Sequence, residues 1–387
     1  MIVVYILIAL LVLMLMILIH ELGHYIAGRC LGFKITDFSI GFGKAIWQKV
    51  NKRGEKIAIR ILPLGGYCSF YGEDGTEDEE DSKDKDGENS ENKPKKDESQ
   101  YFTNQPAWKR IIVFLAGVTA NFISAIIFAF ILLVAFGYGN VYQITDTNPY
   151  FVASAGAGNQ IVELQKDDRI LEIDGHKINY VWGDTVDKLI SNVEGNKYTL
   201  TIQKAETGEV KDIVVEIQTN YETVYNSETE QYEIKTDEDG NPITYTGMGV
   251  SMGLASQPLS FVDALSECVS LAVGFAWLVL KTLFLLFTFQ LPLSDLGGTL
   301  TVISTVASTV QESFSAIFVY LPLIAANLAV FNLLPFPGLD GAHTVFTTIE
   351  WVRGRPINRN VEAWIHFVGM IILFAFVILI DLIHFLG

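Results

Sequence analysis

The 387-residue sequence has little charge and few cysteines. Only 18% of its residues are Asp, Glu, Lys or Arg, below the ~25% of ordinary soluble domains, which argues against an average soluble enzyme. Its three cysteines, Cys30, Cys68 and Cys268, are widely separated and form no CxxC pair. They therefore exclude a disulfide scaffold and a cysteine zinc site. Because half of the residues are hydrophobic, the chain as a whole is not disordered.

The net charge of −17 is concentrated in two segments. Residues 73–98 carry 13 acids and 5 lysines, and residues 146–239 carry 20 acids and 8 bases. The remaining residues carry 11 acids and 14 bases. This distribution leaves no strongly basic face for nucleic acid, so we expect no nucleic-acid partner.

Long charge-free stretches predict membrane-spanning helices. Four of them approach or exceed the ~18–20 apolar residues that cross a bilayer core: residues 2–19, 111–136, 313–339 and 363–380. A fifth stretch, 268–294, has Lys281 at its middle. A charge at mid-bilayer costs roughly 2.5–3.5 kcal/mol, so we expect an interfacial or partly re-entrant helix there.

The basic residues outside the acidic segments predict the orientation. They are concentrated in 29–110 and in the loop around Arg353, Arg355 and Arg359. The positive-inside rule places both regions in the cytoplasm, with the two termini and residues 140–262 outside. The first stretch lacks a basic n-region and a small-residue cleavage site, so we interpret it as a retained span rather than a signal peptide.

The predicted fold class is an α-helical polytopic membrane protein with about four transmembrane helices. In chain order we expect a first transmembrane helix (1–30), a β segment (31–72), an acidic disordered insert (73–100), a second transmembrane helix (101–138), a polar domain of short strands (139–254), an interfacial or re-entrant region (255–312), a third transmembrane helix (313–345), and a basic cytoplasmic loop with a fourth transmembrane helix (346–387).

An HExxH motif, His20-Glu21-Leu22-Gly23-His24, ends the first stretch. Histidines at i and i+4 share one helix face, so both imidazoles can reach one metal ion, and Glu21 can act as general base. Ionisable residues are costly in a membrane and usually functional there. The alternative interpretation is three polar residues at the membrane boundary.

Asp340 is the best candidate for a third metal ligand. It lies in Asn332-Leu-Leu-Pro335-Phe-Pro337-Gly-Leu-Asp340, which follows a span running in the same direction as the first, so both motifs reach the inner side. A helix-capping aspartate is the alternative. His343 as a fourth ligand would close the open coordination position, so we leave it out of the ligand set. His366 and His384 are interpreted as polar residues in or beside the last span.

Several motifs together resemble a known family. They are HELGH (20–24), GFGKAIW (41–47), LPLGGYCSFYGE (62–73), FTNQPAWKR with AGVTANF (102–122) and NLLPFPGLDG (332–341). The chain resembles the site-2 protease family of intramembrane zinc metalloproteases, in particular the bacterial regulator-of-sigma-E protease type. The resemblance implies one Zn²⁺ held by His20, His24 and Asp340, Glu21 as the catalytic base, and Asn332, Pro335 and Pro337 in the substrate-binding segment.

The same resemblance predicts two accessory parts. It implies a membrane-associated β-hairpin in 31–72, whose edge could accept an unwound substrate as an added strand. It also implies one extracytoplasmic PDZ-like domain within 139–254, carried by Ser154-Ala-Gly-Ala-Gly158 and the segment 165–175. Whether that domain binds a peptide ligand or acts as a size gate stays open.

The expected function is hydrolysis of a peptide bond in a single-span membrane protein, most plausibly an anti-sigma factor after a first outer cut. Remnant signal peptides and pheromone precursors are alternative substrates. An inactive PDZ-bearing membrane scaffold is the alternative from another class. The expected location is a bacterial plasma membrane, with the lipid bilayer as partner and the active site near the cytoplasmic face.

Overall fold

The computed structural model describes residues 2–73, 100–139, 141–147, 164–178, 197–216, 218–226, 231–237, 239–247, 250–292 and 297–386. Nearly all of the predicted acidic insert 73–100, and the predicted PDZ-like motif at 154–158, lie outside these ranges. The chain divides into two compact units. The first comprises residues 1–131 with 267–387, and the second comprises residues 132–266.

Seven α-helices are described. They are α1 (Ile2–Cys30), α2 (Ala107–Ala135), α3 (Phe261–Phe287), α4 (Thr299–Glu312), α5 (Ile317–Leu333), α6 (Asp340–Arg353) and α7 (Arg359–Leu386). Four of them, α1, α2, α3 and α7, are long and apolar enough to cross a membrane. The chain is therefore a multi-pass membrane protein, and the predicted number of four long apolar helices is confirmed.

The four long apolar helices are not the four that the sequence predicted. Residues 313–339 do not form one long helix, because α5 covers only Ile317–Leu333. Pro335 disfavours helical backbone at the residue before it, and Leu334 is accordingly extended (φ −62°, ψ 142°). Conversely, α3 continues past Lys281 as one 27-residue helix. Hydropathy alone does not show that a proline ends a helix within an apolar stretch.

Two long strands, β1 (Ile35–Val50) and β2 (Lys56–Phe70), fill the predicted β segment. Each strand bends in its middle, and β1 pairs with both halves of β2. Four short segments consequently lie side by side, in the order 66–70, 35–40, 56–59 and 45–50. Gly41 has φ +86° at one bend, and a Cβ there would lie 2.7 Å from the Leu62 carbonyl oxygen, so the fold-back needs glycine.

The second unit contains strands β3 to β12. Their bounds are β3 (Val141–Thr147), β4 (Arg169–Ile173), β5 (His176–Lys177), β6 (Lys197–Gln203), β7 (Val210–Glu216), β8 (Gln218–Tyr221), β9 (Thr223–Asn226), β10 (Gln231–Ile234), β11 (Thr244–Gly247) and β12 (Val250–Ala255). The main sheet has the order β12-β3-β4-β6-β7, with β5 paired to β4. Its core includes Ile144, Ile170, Leu200 and Ile202, all nearly fully buried.

Small residues let α1 and α2 approach closely. A Cβ at Gly23 of α1 would lie 2.8 Å from the Ala120 Cβ of α2 and closer still to the Ala116 carbonyl oxygen. Such small-residue contacts are typical of helix pairs in membranes, where backbones pack tightly without a hydrophobic driving force. The close approach brings the HExxH motif of α1 against the middle of α2.

Glu55 anchors the hairpin to the end of α1. Its side chain is 3% exposed and accepts hydrogen bonds from Tyr25 Oη (2.9 Å), Arg29 Nη1 and Asn51 Nδ2. Burial by itself raises the pKa of this carboxyl, but the hydrogen bonds from Asn51 and Tyr25 and the Arg29 charge outweigh it and hold the pKa below its usual value.

We predict that this anchor weakens in acid and in Glu55→Gln. A lowered folded-state pKa stabilises the hairpin above the unfolded pKa of about 4.3, and the contribution is lost as pH falls through the folded value. At pH 7 the Gln variant should lower amide protection of residues 45–60 by roughly tenfold, the loss of about 1.4 kcal/mol from charged hydrogen bonds. Hydrogen–deuterium exchange measures this, and Glu267→Gln on exposed α3 is the control. Equal protection in the Glu55 variant and wild type would contradict the anchor.

Candidate metal centre

Three side chains that can donate a lone pair to a metal ion converge in the first unit, and they come from two distant parts of the sequence. The Nε2 atoms of His20 and His24 lie 3.2 Å apart, and they lie 3.0 Å and 3.3 Å from the Asp340 Oδ2 atom. The structure thus brings together all three predicted zinc ligands. Two come from successive turns of α1, and the third begins α6.

The protonation of His24 favours a metal ion at this point. His24 Nδ1 lies 2.8 Å from the Val113 carbonyl oxygen, which can only accept, so Nδ1 carries the proton. The Nε2 lone pair then faces the Asp340 carboxylate, whose buried Oδ2 atom has no hydrogen-bond partner in the described residues. A divalent cation between the Nε2 lone pair and the carboxylate would bind both. A backbone acceptor on the other ring nitrogen is typical of metal-binding histidines.

Asn121 supports His20 in the same manner. Its amide group lies 3.2 Å from His20 Nδ1, and the residue is fully buried. Oxygen and nitrogen of an Asn side chain are assigned from their partners. When Oδ1 faces His20, it accepts the Nδ1 proton and leaves the Nε2 lone pair for a metal ion. Sequence reasoning did not single out Asn121, although a lone Asn in the charge-free stretch 111–136 was the available signal.

Gly117 gives the histidines their space. A Cβ at this position on α2 would lie 2.7 Å from Cε1 of His20 and would overlap Nε2 of His24. Any larger residue would displace both rings. The close packing of α1 on α2 therefore leaves room for two imidazoles only where α2 has no side chain.

Glu21 lies against the hairpin. It is 9% exposed, and a Cβ on Gly66 of β2 would come within 2.9 Å of the Glu21 Cγ atom. Residues 66–70 form one end of the four-segment order and pair on one side only, with β1, among the described strands. An edge of backbone hydrogen-bonding groups thus lies beside the predicted catalytic base.

A turn stabilised by α7 positions Asp340. Asn332 lies in the last turn of α5, and Pro335 and Pro337 lie in the irregular link to α6. Gly338, with φ +98°, donates its N–H to His366 Nδ1 at 3.0 Å. Pro337 packs directly on Gly369, where a Cβ would overlap the proline. His366 and Gly369, three residues apart on α7, therefore hold the turn that precedes Asp340.

His343, Glu362 and His366 form a second cluster of side chains of the types that bind metal ions. The His343 and His366 rings stack with centroids 3.9 Å apart. His366 Nδ1 accepts the Gly338 proton, so a neutral ring keeps its own proton on Nε2 and has no lone pair left for a metal. We therefore interpret His366 as a residue that supports the turn, and His20, His24 and Asp340 remain the predicted zinc ligands.

The sequence profile of peptidase family M50 matches residues 8–376. A Fusobacterium nucleatum protein named "putative zinc metalloprotease" is 28% identical over 376 residues, covering 97% of this chain and 96% of its own length. One from Agrobacterium fabrum with the same description is 28% identical, over 95% and 92% of the two chains. A Haemophilus influenzae protein named "regulator of sigma E protease" is 25% identical, over 92% and 93%. The chain therefore belongs to peptidase family M50, the site-2 family of zinc-dependent metalloproteases.

Proposed function

We propose that this metalloprotease hydrolyses a peptide bond within the membrane-spanning segment of a single-span protein. The convergence of His20, His24 and Asp340 beside Glu21 carries the proposal. The HExxH helix α1 is itself long and apolar enough to cross a bilayer. A catalytic group on such a helix acts on substrates that share the membrane with it.

In this proposal the two histidines and the aspartate hold one zinc ion and leave a coordination position open. Zinc, when bound, supplies a Lewis acid that polarises the scissile carbonyl and favours deprotonation of the attacking water. Glu21 accepts the proton from that water and delivers it to the leaving amine nitrogen. The side chains of His20 and Asp340 keep 12% and 19% of their surface exposed, which gives water a route to the site.

The hairpin edge supports a role in presenting the substrate. A helical substrate shields its amide groups, because each is bonded four residues away. Residues 66–70 offer backbone groups beside Glu21, where an unwound segment pairs as an added strand. Asn332, Pro335 and Pro337 border the same site from the α5–α6 link. An apolar cavity of about 600 Å³ next to Phe336 and Pro337 fits an apolar side chain of the substrate.

The relatives support a proposal for the substrate class. The name of the Haemophilus influenzae relative supports an anti-sigma factor, cut on the outer side first and then released into the cytoplasm by this enzyme. The acidic second unit then serves as the extracytoplasmic PDZ-like domain, binding a peptide or excluding untrimmed substrates. The enzyme resides in a bacterial plasma membrane with its active site near the cytoplasmic face. Remnant signal peptides and pheromone precursors remain the alternative substrates.

We predict that Glu21→Gln abolishes cleavage and keeps the metal. Loss of a general base lowers the rate by about 100-fold or more, whereas the three zinc ligands stay in place. Co-expression with a single-span substrate lacking its outer domain, followed by immunoblotting, measures the cytoplasmic fragment. Elemental analysis of the purified variant should find one zinc per chain. Equal fragment from wild type and variant would remove Glu21 from the reaction, and none from wild type with any substrate class would favour the inactive scaffold.

We predict that a proline on the hairpin edge slows cleavage. Cys68→Pro removes a backbone N–H that points away from β1, towards Glu21, and a flexible φ, so an added strand pairs less well at this edge. Gln48→Pro, with an outward N–H on the opposite outer segment of the folded hairpin, and Cys68→Ala, which keeps the N–H, are the controls. Turnover should fall several-fold for Cys68→Pro only, with zinc content unchanged in all three variants. Unchanged turnover of Cys68→Pro would rule out strand addition at this edge.

We predict that His366 acts on zinc affinity through the Gly338 turn. His366→Leu removes the acceptor of the Gly338 N–H and should weaken zinc binding about 10–100-fold, the usual cost of losing a supporting contact to a metal ligand. His366→Asn offers a carbonyl oxygen in its place and should recover most of the affinity. Competition with a chelating dye measures both, with Phe367→Leu on exposed α7 as control. Equal zinc affinity in all three variants would show that the turn does not position Asp340.

A further inference from the structure

A second cavity lies at the junction of α2, α6 and α7, away from the zinc ligands. It has a volume of about 550 Å³ and a more polar lining than the cavity beside Pro337. Its lining includes Thr103, Asn104, Arg110, Trp351, Arg355 and Arg359. We propose that this cavity binds the phosphate headgroup of an anionic phospholipid.

Guanidinium groups dominate the charge of the cavity. Glu350 is the single acid among the lining residues, and both of its oxygens are occupied. Oε2 accepts from Arg110 Nη2 at 3.0 Å, and Oε1 accepts from the Ile357 N–H at 2.9 Å. Arg355 and Arg359 are exposed and form no ion pair within 4.0 Å in the described parts of the chain. Glu362 interacts with Arg359 and Arg110 but does not line the cavity, so the site keeps a net positive charge.

Arg110 also presents a buried donor. Its Nε atom is inaccessible and lacks a hydrogen-bond partner among the described residues, while its Nη2 atom is bound to Glu350. A buried N–H without an acceptor is costly, about 1–3 kcal/mol in typical proteins. A phosphate oxygen is a strong acceptor, and guanidinium groups match its geometry. Arg110 lines the cavity, so a bound phosphate would place an acceptor beside a guanidinium group whose Nε lacks one.

The position of the cavity favours a lipid over a soluble phosphate. It lies at the N-terminal ends of α2 and α7, two of the helices long enough to cross the membrane. Helix N-termini favour anions, and the end of a helix that crosses the membrane reaches the level of the headgroups. Trp108 near the start of α2, Trp351 near the end of α6 and Trp364 near the start of α7 are 46%, 59% and 65% exposed. Exposed tryptophans are typical of the headgroup level of a bilayer.

Native mass spectrometry of the full chain in neutral detergent tests the proposal. The probe is phosphatidylglycerol, compared with phosphatidylcholine of the same acyl chains. Wild type should bind one phosphatidylglycerol at least fivefold more tightly than phosphatidylcholine. The double variant Arg355→Gln/Arg359→Gln should lose this preference. Arg353→Gln, at the last residue of α6 and outside the lining, should keep it and serves as the matched control.

Three results would overturn the proposal. The first is equal binding of the two lipids by wild type. The second is the same lipid preference in the double variant as in wild type, or the same loss in Arg353→Gln. The third is displacement of phosphatidylglycerol by low-millimolar inorganic phosphate, which would assign the site to a soluble anion. Zinc content, measured on every variant, reports that the fold is retained, so failure of lipid binding is distinct from failure of the proposed protease function.

Discussion

Lone pairs of two imidazoles and a carboxylate, directed at one point between apolar helices, repel one another unless a cation lies among them. The rest of the first unit is arranged around this constraint. The Val113 carbonyl and Asn121 hold the outer nitrogens of the two histidines, and both supports come from α2. The Val113 contact keeps the His24 ring proton away from the convergence point, and the Asn121 contact does the same for His20 when Oδ1 faces the ring. The packing of α1 on α2 therefore determines both the geometry of the site and its affinity for a metal ion.

The same constraint explains where small residues occur. A helix that carries ring side chains at its contact with another helix cannot pack closely unless the facing positions have small side chains or none. Gly23 and Ala120 provide the close approach, and Gly117 provides the space for the rings. A helix pair without these residues would separate by the width of a side chain, and the α2 supports would no longer reach the histidines.

Part of this arrangement was predictable from the sequence. The i, i+4 spacing of His20 and His24 defines one helix face at any tertiary position. The expectation that Asp340 lies near them rested on a third span over 313–339, which the structure does not form. The contributions of α2 were not predictable in this way. A backbone carbonyl such as that of Val113 has no sequence signal. The role of Gly117 in giving the rings space is recognisable only when its neighbours across the helix contact are known. The helix ending at Leu333 was missed because hydropathy sums apolar residues without regard to proline.

That early end of α5 has a structural purpose. If residues 313–345 formed one continuous helix, Asp340 would sit in mid-helix and its side chain would follow the helix surface. The prolines stop α5, the Gly338 turn reverses the chain, and α6 begins at Asp340 itself. The carboxylate then projects from a helix end towards the histidines. Irregular backbone between apolar helices is tolerated only where other groups satisfy it, and here His366 of α7 accepts the Gly338 N–H. The position of Asp340 thus depends on α7, which contributes no side chain to the convergence of His20, His24 and Asp340.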